Sequence, residues 1–255
     1  MLFSVIAFAA TLIGALAGLG GGVFLRPLLA FLSVGKELAS FTSSTTVLTL
    51  CLTNLIAGTV FARNSGDDED VSLKDIFQPY LILISAGSVI GGYLGASLIP
   101  AAAERIINAI YCVVLLLLVL LLVLRDKLPR CTIRKRVPSF LVGLFTGTMS
   151  GFFGIGGGPF QMSALLLLFG SEGRTATKQS LFITLCTTLA AIFRYIMNHY
   201  YDFSIAVYTI PAAVAGGIIG AAIIRRMKHS QVQWILITSI ATIFCFSVAN
   251  VWNTL

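Results

Sequence analysis

Gly18-Leu19-Gly20-Gly21-Gly22 and Gly154-Ile155-Gly156-Gly157-Gly158 are two copies of one glycine cluster, each set within an apolar stretch and each followed two residues later by phenylalanine. Glycine is the poorest helix former after proline, so each cluster predicts a break in a membrane-length helix. Hydrocarbon tolerates the freed backbone groups only where they face protein or a water-filled cavity. Secondary transporters build their substrate sites at breaks of this kind.

The residues that flank the clusters are repeated as well, so the chain is a duplication. When the two clusters are superimposed, identical phenylalanine and leucine residues coincide after them, and further matches follow later along the chain. The matches are Phe24 with Phe160, Leu29 with Leu165, Leu32 with Leu168, Ala39 and Ser43 with Ala176 and Ser180, and Gly91-Gly92-x-x-Gly95-Ala96 with Gly216-Gly217-x-x-Gly220-Ala221.

The composition identifies a membrane protein. Hydrophobic residues make up 57% of the chain and charged residues 11%, whereas soluble domains average about 45–50% apolar and about 25% charged. The opening Met1-Leu2-Phe3-Ser4 has no basic region, so we expect the first helix to be retained rather than cleaved as a signal peptide. The lipid bilayer is therefore the expected surrounding of an all-α, polytopic chain.

The hydrophobic pattern predicts two short and three long helices in each half. The long ones reach the roughly 20 residues that a bilayer crossing needs, but the short segments after the glycines do not. Each short pair forms either a re-entrant hairpin or one broken span. The predicted spans are 2–17, 22–33, 38–62, 76–99, 105–124, 139–153, 159–170, 177–198, 204–224 and 231–252.

The basic residues favour the re-entrant hairpin, because Lys and Arg concentrate in short cytoplasmic loops. With hairpins, the second half is inverted and only Lys36 and Arg105 lie at the opposite face, with Arg26 and Arg194 inside spans. The residues then gathered at one face are Arg63, Lys74, Arg125, Lys127, Arg130, Arg134, Lys135, Arg136, Arg174, Lys178, Arg225, Arg226 and Lys228. We therefore predict two inverted-topology repeats.

The predicted organisation is a first membrane repeat at 1–125, a basic cytoplasmic linker at 126–137 and a second membrane repeat at 138–255. Both termini are expected outside, in a prokaryotic cytoplasmic (inner) membrane. A topology signal explains the basic linker, so no nucleic-acid partner is expected. The acidic run Asp67-Asp68-Glu69-Asp70 is interpreted as a solvated loop. The sequence leaves open whether the chain forms a homodimer.

The glycine clusters are also the predicted substrate site. A helix begins just after each cluster, and its first turn carries free N–H groups and the positive end of the helix dipole, which bind anions. Two such ends meeting near the midplane would bind a small anion. The alternative is that the glycines serve only close helix crossing. The backbone candidates are Gly20, Gly21, Gly22, Val23 and Phe24, and Gly156, Gly157, Gly158, Pro159 and Phe160.

Side chains near the clusters add to this site. Arg26 lies about one turn beyond the first cluster, no acidic residue occurs inside a predicted span, and a cation within a membrane usually marks an ion path. Guanidinium also suits oxyanions. The alternative is that Arg26 reaches to water at a shallower tip. In the second half Met162 takes that position beside Gln161, and Ser43 and Ser180 are the matched hydroxyl candidates.

These residues resemble the TauE/SafE family of sulfite exporters, which carries a G-x-G-G-G motif at the start of two homologous halves, an Ala…Ser stretch and paired glycines. The resemblance covers nearly the whole chain and implies export of a sulfur oxyanion, either sulfite or a small organosulfonate. One departure is Val23, which stands where the family pattern has the proline that is present as Pro159.

The sequence is also compatible with two other functions. One is a sulfur-compound transporter that uses the Cys51 or Cys186 thiol, and the other is a membrane subunit that only binds a partner. The five cysteines form no C-x-x-C pair, so neither a disulfide nor a metal site is indicated. No H-E-x-x-H or G-x-S-x-G pattern occurs, so we expect no enzyme and no cofactor.

Overall fold

The computed structural model describes residues 2–65, 78–100, 104–123, 135–171, 173–224, 226–227 and 229–253. These residues form ten helices and no strand. In chain order they are α1 (Leu2–Ala17), α2 (Gly22–Phe31), α3 (Lys36–Ser65), α4 (Pro79–Leu98), α5 (Glu104–Val123), α6 (Arg136–Phe153), α7 (Gly158–Leu168), α8 (Gly173–Met197), α9 (Phe203–Ile224) and α10 (His229–Asn253).

The predicted pattern of two short and three long helices in each half is confirmed. Four helices in the described part of the chain contain segments that are long and apolar enough to cross a membrane. These segments are Lys36–Val60, Pro79–Leu98, Thr175–Met197 and Phe203–Ile224. Hydrocarbon about 30 Å thick needs about 20 helical residues, which each of these segments provides.

The glycine clusters break the chain as predicted, and the two breaks have the same backbone conformation. Three glycines of each cluster have positive φ, namely Gly18, Gly20 and Gly21 in the first and Gly154, Gly156 and Gly157 in the second. Residues with a Cβ rarely adopt this left-handed region, so the glycines allow the chain to turn out of one helix and into the next.

The new helices begin close to the starts of the predicted spans. Gly21 and Gly157 are the N-caps, so α2 starts at Gly22, as in the span 22–33, and α7 starts at Gly158, one residue before the span 159–170. Pro159 occupies the first turn of α7, where proline is favoured. In α2 the proline comes later, as Pro27 inside the helix.

The two halves pack against each other along most of their length. The first helix of each half lies on the fourth helix of the other, so α1 contacts α9 and α6 contacts α4. The third helices α3 and α8 contact each other, and so do the last helices α5 and α10. The largest buried apolar cluster also joins the halves, with Leu19 and Val23 beside Phe153 and Phe160.

Glycines make the packing of α4 on α6 very close. A Cβ built on Gly87, Gly91 or Gly95 would overlap a backbone carbonyl of α6, and one built on Gly143, Gly147 or Gly151 would overlap a carbonyl of α4. The glycine stripe of α4 is therefore a packing seam. The corresponding stripe of α9 uses Gly216 and Gly220 against Thr11 and Ala15 of α1.

Several predictions concern residues outside the described part of the chain. The acidic run 67–70, Cys131 and most of the linker 126–137 lie there. At the end of the linker, α6 begins at Arg136, within the segment that was predicted to be linker.

Candidate functional site

The two glycine breaks are in direct contact. A Cβ added to Gly22 would overlap the carbonyl oxygen of Ile155, and a Cβ added to Gly158 would overlap the carbonyl oxygen of Leu19. Residues 17–23 and 153–163 are buried. The broken backbone therefore faces protein, as an irregular segment at membrane depth must.

The start of each new helix retains free donors. The first hydrogen bonds at α2 run from the N–H groups of Phe24 and Leu25 to the carbonyl of Gly21. Among the described residues, no backbone acceptor bonds the N–H groups of Gly22 and Val23, and the N-cap glycine has no side chain to supply one. Free amides and the helix dipole give this position a positive potential.

Val47 of α3 contacts both breaks on one side. A Cβ on Gly20 would lie 3.0 Å from the Val47 side chain, and a Cβ on Gly156 would lie 2.6 Å from it. On the other side, Thr184 of α8 lies close to Gly20 and Thr188 lies close to Gly156. The glycines thus bring two backbone segments against the same pair of long helices.

Ser43 and Ser180 occupy equivalent places, at the two breaks. The Ser43 hydroxyl donates to the carbonyl of Gly22 at 3.3 Å. The Ser180 hydroxyl faces the carbonyl of Gly158 at 3.4 Å and that of Gly18 at 3.0 Å. Both serines are fully buried. Each hydroxyl thus contacts the carbonyl of the first residue of the short helix in its own half.

Arg26 is buried, with 2% of its surface exposed. Its Nε donates to the Ser40 hydroxyl at 3.4 Å, and it makes further interactions. Arg26 therefore has protein partners, although no acidic residue occurs inside a predicted span. A shallow position in contact with bulk water is also inconsistent with this burial. The cation nevertheless lies on α2, one turn beyond Gly22.

Gln161 lies at the second break and belongs to a different polar cluster. Its amide nitrogen donates to the Thr187 hydroxyl at 2.9 Å, and its amide oxygen accepts from the Thr184 hydroxyl. A Cβ on Gly157 would lie 2.9 Å from the Gln161 nitrogen. This hydrogen-bonded amide is held against the break by α8.

Two site tyrosines were missed by sequence reasoning. The Tyr111 hydroxyl donates to the carbonyl of Val23 at 3.3 Å, and the Tyr195 hydroxyl donates to the carbonyl of Gly151 at 3.3 Å. Both side chains are 1% exposed. A tyrosine inside an apolar span is a detectable signal, because its buried hydroxyl needs a partner.

The two phenylalanines after the glycines differ in their surroundings. Phe160 is buried and stacks on Phe153 at a ring centroid distance of 5.9 Å. Phe24 is half-buried and packs against the largest core cluster and a second cluster around Leu25 and Leu29. These rings fill the space beside the breaks.

The hydroxyls that follow along α3 and α8 bond mainly to their own helices. Thr45 and Thr188, for example, donate to carbonyls one turn back, as single Ser and Thr residues commonly do. Thr46 differs, because its hydroxyl also contacts that of Thr209 on α9 at 2.8 Å. The Thr42 hydroxyl is buried and has no hydrogen-bond partner in the described structure.

These features define the class as an integral, all-helical membrane protein with paired broken helices at its centre. The family described as "Sulfite exporter TauE/SafE" matches residues 3–246. The chain belongs to this family. It is therefore a member of a family of membrane transporters rather than of enzymes.

Individual relatives carry transporter names. The chain is 24% identical to "Probable membrane transporter protein YunE" of Bacillus subtilis (strain 168), over 94% of both chains. It is 23% identical to "Probable membrane transporter protein YdhB" of the same organism, over 68% of this chain and 73% of the relative. A "Probable membrane transporter protein" of Xylella fastidiosa (strain Temecula1 / ATCC 700964) is 25% identical, with 85% and 81% covered. No solved structure matches the chain significantly.

Proposed function

We propose that this protein exports a small sulfur oxyanion, sulfite or a small organosulfonate, through a site formed by the two glycine breaks. The observation that carries this proposal is the contact between the breaks, Gly22 on Ile155 and Gly158 on Leu19. The contact brings the starts of both new helices together, and Arg26 lies one turn along the first of them. Backbone donors and guanidinium together suit an oxyanion.

The proposed architecture is a pair of inverted repeats that lie on opposite sides of the breaks. Its first support is the position of the two short helices relative to α4. The chain leaving α2 reaches Lys36, whose ammonium donates to the Pro100 carbonyl just beyond the end of α4 at 3.1 Å. The chain leaving α7 reaches Phe169, which stacks on Tyr80 in the first turn of α4 at 5.3 Å.

A second support is the order of contacts between α3 and α8. Phe41, near the start of α3, shares a buried cluster with Tyr195 near the end of α8. Further along α3, Cys51 shares a cluster with Leu181, nearer the start of α8. Equivalent helices that run in opposite directions are expected when one repeat is inverted relative to the other.

The proposed orientation has the linker 126–137 in the cytoplasm and both termini outside, in a prokaryotic inner membrane. Contacts along the α4–α6 seam advance together from Gly87 with Phe140 to Gly95 with Phe152, so these helices run parallel. Arg136 at the start of α6 therefore lies at the same face as Tyr80. Lys178 lies beside Gln179, which donates to the Tyr80 hydroxyl, so Arg136 and Lys178 lie at one face, as positive residues do at a cytoplasmic face.

The membrane potential supplies a sufficient driving force for export. For an anion leaving an inside-negative cell, it contributes roughly 2.3 kcal/mol per charge per 100 mV. Facilitated diffusion outward therefore needs no coupling ion. The absence of acidic residues from the predicted spans agrees with a carrier that does not transfer protons, because proton-coupled carriers commonly use membrane-embedded Asp, Glu or His.

The first test removes the cation at the breaks. Arg26→Ala is expected to abolish sulfite flux into and out of proteoliposomes, because the oxyanion loses the charged ligand that we propose for it near the breaks. Purified wild-type protein and the variant would be compared at equal reconstitution density, with size-exclusion profiles and thermal unfolding as controls for folding. Undiminished flux through a folded Arg26→Ala protein would remove Arg26 from the site.

The thiol alternative has a separate test. Cys51 is buried in an apolar cluster with Val47, the residue that contacts both breaks, so its thiol lies near the proposed path. Replacement of all five cysteines by serine should leave sulfite flux intact under our proposal. Loss of flux from a folded cysteine-free protein would favour thiol chemistry. If the wild-type protein, reconstituted without any other protein, carries no sulfite, the result would favour a subunit that only binds a partner.

A further inference from the structure

The two breaks carry different polar residues at neighbouring positions. When Gly18–Gly22 is superimposed on Gly154–Gly158, Arg26 falls on Met162 and Leu25 falls on Gln161. Each half-helix therefore has one long polar side chain, displaced by one residue. One residue is about 100° of rotation around a helix, because 3.6 residues make a turn. The two polar side chains must then point toward different neighbours.

The contacts of Arg26, at the first break, extend to residues that pack against the second break. Its Nε contacts the Ser40 hydroxyl, and Ser40 packs against Gly154 so closely that a Cβ on this glycine would overlap it. Tyr195, which carries a buried hydroxyl, shares an apolar cluster with Phe41, the residue after Ser40. That hydroxyl in turn contacts the carbonyl of Gly151, in the last turn before the second break. A cationic group with hydroxyl donors is thus assembled on one side of the contact.

Gln161, at the second break, is linked to the first break through uncharged groups. Its amide is fixed by the hydroxyls of Thr184 and Thr187. Thr184 also faces the first break, since a Cβ on Gly20 would lie 3.3 Å from its methyl group. This cluster of an amide and two hydroxyls offers neutral hydrogen-bonding groups only.

We propose that the transported oxyanion uses two subsites, a cationic one formed by Arg26, Ser40 and Tyr195, and a neutral one formed by Gln161, Thr184 and Thr187. This inference rests on the proposed anion export through the breaks. The anion binds at the cationic subsite, where guanidinium and hydroxyl donors replace its hydration shell. It passes the neutral subsite, which binds it weakly.

The division has a physical reason. A guanidinium in low dielectric attracts an anion strongly, and two such sites in series would hold it. Conduction needs binding that is favourable enough for entry and weak enough for release. One charged and one neutral subsite satisfy both requirements. They also account for methionine, rather than a second arginine, at position 162.

The experiment separates binding from flux by exchanging residues between equivalent positions. Arg26→Met places the residue of the second half in the first, and Gln161→Leu does the same at the neighbouring position. Sodium sulfite binding is measured by calorimetry on the purified full-length protein in detergent, and sulfite flux is measured in proteoliposomes. Met162→Leu is the matched control of similar volume, and it should leave both quantities unchanged.

Arg26→Met is expected to raise the dissociation constant for sulfite by about tenfold to one-hundredfold, the range for a lost charge-assisted hydrogen bond. Gln161→Leu is expected to leave that constant unchanged and to lower the maximal flux by about tenfold. If Arg26→Met does not fold, Arg26→Gln takes its place and should show the same loss of binding.

Equal weakening of sulfite binding by the two variants would indicate a single shared site and overturn the division into subsites. Unchanged flux in Gln161→Leu would overturn it as well. Either result leaves anion export itself intact, because the wild-type protein still binds and carries sulfite. A wild-type protein that neither binds nor carries sulfite would instead contradict the proposed function.

Discussion

At the scale of single residues, the breaks depend on positions that exclude even one methyl group. Gly22 and Gly158 have ordinary helical conformations, but each lies directly on a carbonyl oxygen of the opposite break. Gly20 and Gly156 instead need their positive φ to turn the chain. The glycine-rich motif therefore combines two physical requirements, a left-handed backbone and close contact between segments.

Gly158→Ala should destabilise the protein, because its new methyl group would overlap the Leu19 carbonyl and force the two breaks apart. Such overpacking costs about 1–3 kcal/mol or more. Gly58→Ala is the control, because no atom lies within 4 Å of a Cβ at this position in α3, and alanine favours a helix by up to about 1 kcal/mol. Thermal unfolding in detergent is the measurement, and equal midpoints for the two variants would contradict the contact.

Tyr195→Phe should also destabilise the fold. It removes a buried hydrogen bond to the carbonyl of Gly151, which keeps its bond from the Gly154 N–H, and the net loss of one hydrogen bond costs about 0.5–1.5 kcal/mol. Tyr201→Phe, at a side chain that is 45% exposed, should unfold at the wild-type temperature. If Tyr195→Phe and Tyr201→Phe unfold at the same temperature, the Tyr195 hydroxyl does not contribute measurably to stability.

At the scale of helices, the two seams between the halves are not equivalent. Along α4 and α6, glycines on both helices contact backbone carbonyls of the partner. Along α1 and α9, Gly216 meets the Thr11 hydroxyl and Gly220 meets the Ala15 methyl group. Backbone cannot withdraw from an added methyl group, whereas the Thr11 side chain can rotate away from one at Gly216, so the first seam is the less adaptable one.

Gly91→Ala should therefore cost more stability than Gly216→Ala. The Gly91 methyl group would overlap the Leu144 carbonyl, and relief requires α4 and α6 to separate. We expect a loss of about 2 kcal/mol or more for Gly91→Ala, within the range for overpacked cores, and a smaller loss for Gly216→Ala. Thermal unfolding of both variants in one detergent tests this order. The reverse order would place the rigid seam at α1 and α9.

At the scale of the whole molecule, the face on which each loop lies follows from the inverted arrangement that we propose. The linker and the first residues of α9 are expected on opposite sides of the membrane. The contact of Phe41 with Phe203 at 5.6 Å brings the start of α9 to the face where α3 begins. That face carries Lys36 and the end of α4.

Cysteine accessibility tests this topology. Cys131 should react with an impermeant maleimide only after the inner face has been opened, because the proposed linker is cytoplasmic. In a Cys131→Ser background, Ser204→Cys should react in intact cells, since Ser204 is exposed in the first turn of α9. Cys131 labelling in intact cells would reverse the orientation, and labelling of both positions from one side would contradict the inverted repeats.

Much of this organisation could be predicted from the chain alone. The ten helices were expected within about three residues of their observed ends, because apolar spans and glycine breaks are local features. The site was predicted less completely. Arg26, Gln161, Ser43 and Ser180 were singled out and lie at the breaks, but their hydrogen-bond partners and the two site tyrosines come from helices distant in the sequence.

The sequence by itself determined that the chain is helical, duplicated, embedded in a membrane and broken at two glycine clusters, since hydrophobicity and glycine content act locally. Only the tertiary structure decided that the breaks touch, that Arg26 bonds Ser40, and that Gln161 belongs to the threonines of α8. These contacts join residues far apart in the chain, and packing between the halves brings them together. Periodicity and composition carry no information about such pairs.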